Sequence, residues 1–158
     1  MTAQTINRNP ALGTSFKLEI PSLEEFNYFV QDAELPGMSM TAPDIPFRNN
    51  QTSVPGNRID YEPVNIEFIV AEDFANHTAI RLWMHRIQKG PGPLTNEMKD
   101  VTLFLLNSNK NNIKRVVFFG AFPIGLSGIP LRSAVSDAEP IVCTLTLKYQ
   151  LYDVLPPA

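Results

Sequence analysis

The chain has 158 residues, 44% of them hydrophobic and 18% charged, with a net charge of −3, which is the size and balance of one ordinary globular domain. Its charges are dispersed, so it lacks the clustered cations that a dedicated nucleic-acid binder uses to neutralise phosphates. A single cysteine, Cys143, excludes an intramolecular disulfide and fits folding in a reducing compartment. Residues 1–15 lack the apolar stretch of a signal peptide, and no later segment approaches the length of a membrane span. Fourteen prolines, about twice the usual share, suit many extended segments joined by stiff turns.

Alternation of apolar and charged residues in Phe16-Lys17-Leu18-Glu19-Ile20 predicts a half-buried strand ended by Pro21. The segment 27–35, with Tyr28 and Val30 on one face, is expected to return as its hairpin partner. Leu35-Pro36-Gly37-Met38 reads as a type II turn, with Pro at its second position and Gly at its third.

From Met38 to Asp60 the pattern breaks down. Pro43, Pro46, Pro55 and Gly56 interrupt any helix, while Met38, Met40, Ile45, Phe47, Val54 and Ile59 are apolar. The segment is expected to be a long irregular loop buried against a neighbouring molecule, because loops of this length in compact domains are usually functional or disordered. Met38, Met40, Ile45, Phe47 and Val54 are its candidate contact residues.

Strict alternation resumes in Val64 to Val70, and Glu72-Asp73 then signals a helix start. Ile80, Trp83, Met84 and Ile87 fall at helical spacing and form one apolar stripe, with Trp83 as the core anchor. Lys89-Gly90-Pro91-Gly92-Pro93 supplies a terminal cation, a residue tolerant of left-handed backbone, and proline. Residues 101–107 and 113–119 should pair as an antiparallel hairpin, and the basic residues Lys110, Lys114 and Arg115 near its turn read as a solvated end. Finally, Ile141 to Tyr152 predicts one strand of about 40 Å. Ile141, Cys143, Leu145, Leu147, Tyr149 and Leu151 share one face, and Thr144, Thr146, Lys148 and Gln150 share the other.

Chemistry is sparse. His77 and His85 are too far apart along the expected helix to share an ion. Gly125-Leu126-Ser127-Gly128-Ile129 lacks the last glycine of a nucleophile elbow, so Ser127 reads as a turn residue. Phosphate-cradling, dinucleotide and paired-cysteine motifs are absent. Two formal glycosylation matches, at Asn50 and Asn76, lack the secretory context they would need. No catalytic residue, cofactor or metal ligand is assigned. The fold class is mainly β, a two-sheet antiparallel β-sandwich or barrel with one packed α-helix and a long inter-subunit loop, in one domain spanning 1–158.

The order of elements carries a resemblance. Glu34-Leu35-Pro36-Gly37, the long loop, Tyr61-Glu62-Pro63-Val64-x-Ile66-x-Phe68-x-Val70-x-Glu72-Asp73, a helix with Trp83, Phe122-Pro123-Ile124-x-Leu126 and the closing strand to Tyr149 resemble the tail tube proteins of contractile-tailed bacteriophages. The resemblance runs from Phe16 to Tyr152. It implies a structural virion protein without enzymatic activity. Such subunits form hexameric rings whose sheets join into a barrel, and the rings stack into the inner tube that conducts DNA during ejection. The helix lies outside the barrel and the long loop contacts the adjacent ring. Implied partners are further copies of the chain, the tail sheath and baseplate or terminator proteins, with DNA passing unbound and no membrane involved. Thr144, Thr146, Lys148 and Gln150 would then line the lumen. A tube initiator or terminator would share this pattern. Two readings of other classes are a soluble β-barrel holding a small ligand, and a hydrolase built on Ser127.

Overall fold

A computed structural model of the chain describes residues 10–11, 13, 15–133 and 138–157. Most of residues 1–15, which lack the apolar stretch of a signal peptide, lies outside them. The elements are β1 (Phe16–Glu19), α1 (Glu24–Tyr28), β2 (Val30–Ala33), β3 (Met38–Met40), β4 (Asp44–Phe47), β5 (Asn50–Ser53), β6 (Ile59–Tyr61), β7 (Val64–Ile69), α2 (Ala75–Lys89), β8 (Lys99–Leu106), β9 (Asn112–Leu126), β10 (Val142–Lys148) and β11 (Leu151–Leu155). A 3-10 turn, Leu94–Glu97, precedes β8.

Seven strands form the body. All of their pairings are antiparallel, in the order β1-β8-β9-β10-β7-β2, with β11 also on β9. β9 belongs to both layers of a sandwich. Its first half lies between β8 and β11, and its second half pairs with β10. The change of layer occurs at Gly120, whose φ of +63° is the left-handed backbone that glycine adopts without steric cost. A side chain there would also press against Gln150.

One core joins the layers. Leu18, Leu103, Val116 and Phe118 face inward from one sheet, and Ile66, Phe68, Leu145 and Leu147 from the other. Their alternation along each strand is what buries one face and leaves the next residue outside. Two helices close the sandwich. Phe26 of α1 packs edge-on against Phe68 with ring centroids 4.7 Å apart. Ile80 and Trp83 of α2 are fully buried, and Trp83 Nε1 donates to the Glu97 carbonyl at 2.7 Å, so the indole's polar atom is not left unpaired.

Five expectations are corrected. Residues 27–35 do not pair with β1: α1 intervenes, and β2 crosses to β7, placing Val30 opposite Phe68. Gly37 has no positive φ, so the type II turn is absent, and Gly90 is extended at φ −63° rather than left-handed. The final strand is not continuous. It breaks at Tyr149-Gln150 into β10 and β11, because the chain moves from the second half of β9 to the first. Beyond the break the burial expected from the alternation fails too: Leu151, grouped with Tyr149, is exposed. Lastly, the 38–60 segment is not irregular.

Candidate functional site

Residues 38–61 form a β-hairpin arm. Its root pairs Met38 with Tyr61 and Met40 with Ile59, and its outer part pairs Asp44 with Ser53 and Phe47 with Asn50. Backbone bonds between the two ribbons, from Gly56 N–H to the Thr41 carbonyl at 2.8 Å and from Val54 N–H to the Pro43 carbonyl at 3.0 Å, keep the strands together. A Cβ at Gly56 would collide with that Thr41 carbonyl. Prolines are tolerated because each strand of a two-stranded ribbon is an edge, where a missing donor costs little.

Directly opposed residues share a face of a ribbon. Met38, Met40, Ile59 and Tyr61 therefore make one apolar face at the root. Further out, Ile45 and Phe47 share a face, while Asp44, Pro46, Gln51 and Ser53 share the other. On that polar face Asp44 accepts bonds from Gln51 Nε2, at 2.9 Å, and from Ser53 Oγ. Met38, Met40, Ile45 and Phe47 are all exposed, Phe47 by 63%, and Val54 is half-buried.

The arm is exposed at its tip and packed at its root. Tyr61 packs against Tyr149 and Tyr152, with centroids 5.8 and 5.6 Å away, and Phe118 completes the cluster. Tyr149 donates its hydroxyl to the Glu62 carbonyl at 2.8 Å. Burial pushes the Tyr149 pKa up to about 12, and the proximity of Tyr152, Tyr61 and Glu62 adds to the effect.

The sheet has two open ends. β1 bonds only to β8 and β2 only to β7 among the described strands. Both are four residues long, and each offers unpaired backbone groups to another strand.

On the outer face of β10, Thr144 stands opposite Glu67, and Thr146 stands opposite Asn65, to whose Oδ1 it donates at 3.0 Å. Lys148 stands opposite Phe122 and is exposed. Gln150 is not brought together with these three. It sits in the break before β11, over Gly120. Sequence reasoning missed Asn65 and Glu67 as members of this face, although their alternation with Val64, Ile66 and Phe68 carried the signal.

Ser127 is placed as a strand-end residue. Its Oγ accepts the Thr144 N–H at 2.9 Å and lies 3.3 Å from the Cys143 sulfur. Among the described residues no group of three or more His, Cys, Asp or Glu could hold a metal ion, and no helix is long and apolar enough to cross a membrane.

Comparison with known proteins places this architecture. The tail tube terminator protein of Enterobacteria phage T4 is 26% identical over 163 residues, covering 92% of this chain and 89% of that protein. Among solved structures, a chain of the anti-feeding prophage tube terminating cap has a TM-score of 0.69 at 14% identity and covers 98% of this chain and 96% of its own. A chain of the sheath/tube terminator of an extracellular contractile injection system has a TM-score of 0.61 at 18% identity, covering 93% of this chain and 97% of its own. The family model of the phage tail tube protein matches residues 4–155. The chain belongs to the phage tail tube protein family, whose members are structural proteins of the tail.

Proposed function

We propose that this chain forms the ring that terminates the inner tube of a contractile phage tail. The observation that carries the reading is the open sandwich: β1 and β2 end the strand order with unpaired edges. A strand path ending in two edges can continue into neighbouring copies, and a heterologous contact of that kind closes into a ring. The match to a tube terminator over nearly the full length of both chains supports a place at the tube end. In this reading the whole chain acts as one tube-type domain. It is a virion component, its ring is hexameric, and the tail tube and sheath are its neighbours.

The polar face of β10 and β7 supports a role as a DNA conduit. Thr144, Thr146, Asn65 and Glu67 are short or acidic and present no cation cluster, so a duplex meeting them would pass without being held. Lys148 is the one basic group on the β10 part of that face.

A second reading, the major tube subunit, is favoured by the apolar arm, which could join successive rings. Negative-stain microscopy of the purified protein separates the two. The terminator reading expects single six-fold rings that do not elongate and that cap preformed tail tubes. Spontaneous long tubes would overturn it in favour of the major subunit, and a stable monomer would overturn both.

A further inference from the structure

We infer that the arm tip of one copy docks into a cleft between α1 and the turn that leads from β7 into α2 on a second copy. This contact rests on the proposed self-assembly and names the surfaces that make it. The cleft has a volume of about 510 Å³ and is lined by Glu24, Glu25, Tyr28, Phe29, Ala71 and Asp73. Tyr28 and Phe29, packed edge to face against each other 5.0 Å apart, form one aromatic side of it. Tyr28 is 83% exposed, an unusual cost for a large aromatic side chain with nothing over it. Glu24, Glu25 and Asp73 form its rim, and none of them makes an ion pair with a described residue.

The occupant is argued from complementarity within the same chain. The arm tip is the turn Phe47-Arg48-Asn49-Asn50, in which Phe47 is 63% exposed and Arg48 is exposed without an ion-pair partner among the described residues. An aromatic ring beside a guanidinium matches an aromatic cleft with a carboxylate rim. Phe47 can pack on the exposed ring of Tyr28, and Arg48 can reach the carboxylates. The cleft volume lies within the range that holds such a group.

Reach favours a partner over self-docking. Ten residues from Met38 to Phe47 span up to about 30 Å when extended, and Phe47 and Arg48 at the tip are exposed rather than buried against their own chain. Each chain carries one tip and one cleft, so the contact is heterologous and propagates from copy to copy.

The test uses the full chain. Arg48→Glu and Glu25→Lys are compared singly and together by sedimentation velocity, with circular dichroism to confirm that each variant folds. Each single reversal is expected to weaken association about tenfold, equivalent to about 1.4 kcal/mol, and the double reversal to recover most of the loss. A second measurement mixes Arg48→Cys protein with Glu25→Cys protein under mild oxidation. Disulfide-linked pairs are expected, with Cys143 silent because it is buried. Association unchanged by the single reversals, or no cross-linked pair, would overturn this contact while leaving ring formation standing. A wild-type chain that remains monomeric would overturn the contact and the ring together.

Discussion

Asn76 Nδ2 donates to the Ile69 carbonyl at 2.7 Å, tying the first turn of α2 to the last residue of β7. The same side chain accepts from the Ala71 N–H at 3.1 Å and the His77 N–H at 2.8 Å through Oδ1. It is the one fully buried polar residue in the described core, and it satisfies backbone groups that the strand-to-helix corner would otherwise leave orphaned. Asn76→Leu should cost about 2 to 3 kcal/mol, because several buried groups lose their partner at once. Denaturant unfolding checks this, and a loss below about 0.5 kcal/mol would show that water replaces the amide.

The Tyr149 hydroxyl gives the fold an alkaline limit. Its native pKa of about 12 lies above the ordinary 10.0, so the folded state holds the proton more tightly than the unfolded chain. The associated stability is fully present below pH 10 and is lost as pH rises toward 12. It amounts to about 2 to 3 kcal/mol. Tyr149→Phe should cost about 1 kcal/mol at neutral pH, through the unpaired Glu62 carbonyl, and should flatten the fall in stability above pH 10. An unchanged alkaline slope would assign that fall to other groups.

Trp83→Ala should cost about 3 to 5 kcal/mol, because the ring is fully buried and its removal leaves a large cavity. Part of the loss comes from the Glu97 carbonyl, which loses its donor. Lys99 Nζ, 5.7 Å from the ring centroid, also loses a cation–π contact. Thermal unfolding of Trp83→Phe should show an intermediate loss, since the ring volume is partly kept and the hydrogen bond is not.

The elements that bury one face were readable in the sequence. Val64 to Ile69 and the 80–87 stripe carry a period of two and of three to four, set by the core they cover, and the 101–119 hairpin shows as two β-rich runs around a turn-prone spacer. The arm was not readable because it covers no core. Met38 and Met40, then Ile45 and Phe47, do alternate, but each run is too short to stand out between prolines. The break at Tyr149-Gln150 was hidden for the opposite reason: apolar alternation continues through it, and only the left-handed Gly120 on the neighbouring strand marks the change of layer. The cleft was invisible because residues 24–29 and 71–73 meet only through tertiary packing.

Cysteines introduced singly at Thr144, Thr146 and Lys148 should react with small thiol reagents in the isolated subunit, since all three lie on the outer face of β10. Lys148→Cys should react fastest, being exposed where the two threonines are half-buried. Assembly into a ring should leave these rates high for small reagents and lower them for reagents too large to enter the lumen. Protection from small reagents in the ring would place this face at a subunit contact instead.

Replacing residues 39–58 by a short Gly-Ser linker tests whether the arm belongs to the fold or to assembly. β4 and β5 pair with each other and the removed part of β3 pairs with β6, the return strand of the same arm, and the core residues lie outside the deleted segment. Tyr61 stays in place, so its packing against Tyr149 and Tyr152 survives the deletion. The shortened chain should therefore unfold within about 1 kcal/mol of the parent, because surface changes away from buried contacts usually have small effects. Burial of each exposed apolar side chain against a neighbour is worth roughly 1.5 to 3 kcal/mol, and the arm is already paired as a ribbon, so docking it costs less ordering entropy than docking a disordered loop. The deletion should accordingly remove the self-association proposed for the parent while leaving a monomer whose circular dichroism is still that of a β-protein. A shortened chain that still assembles would make the arm dispensable, and one that fails to fold would make the ribbon part of the core.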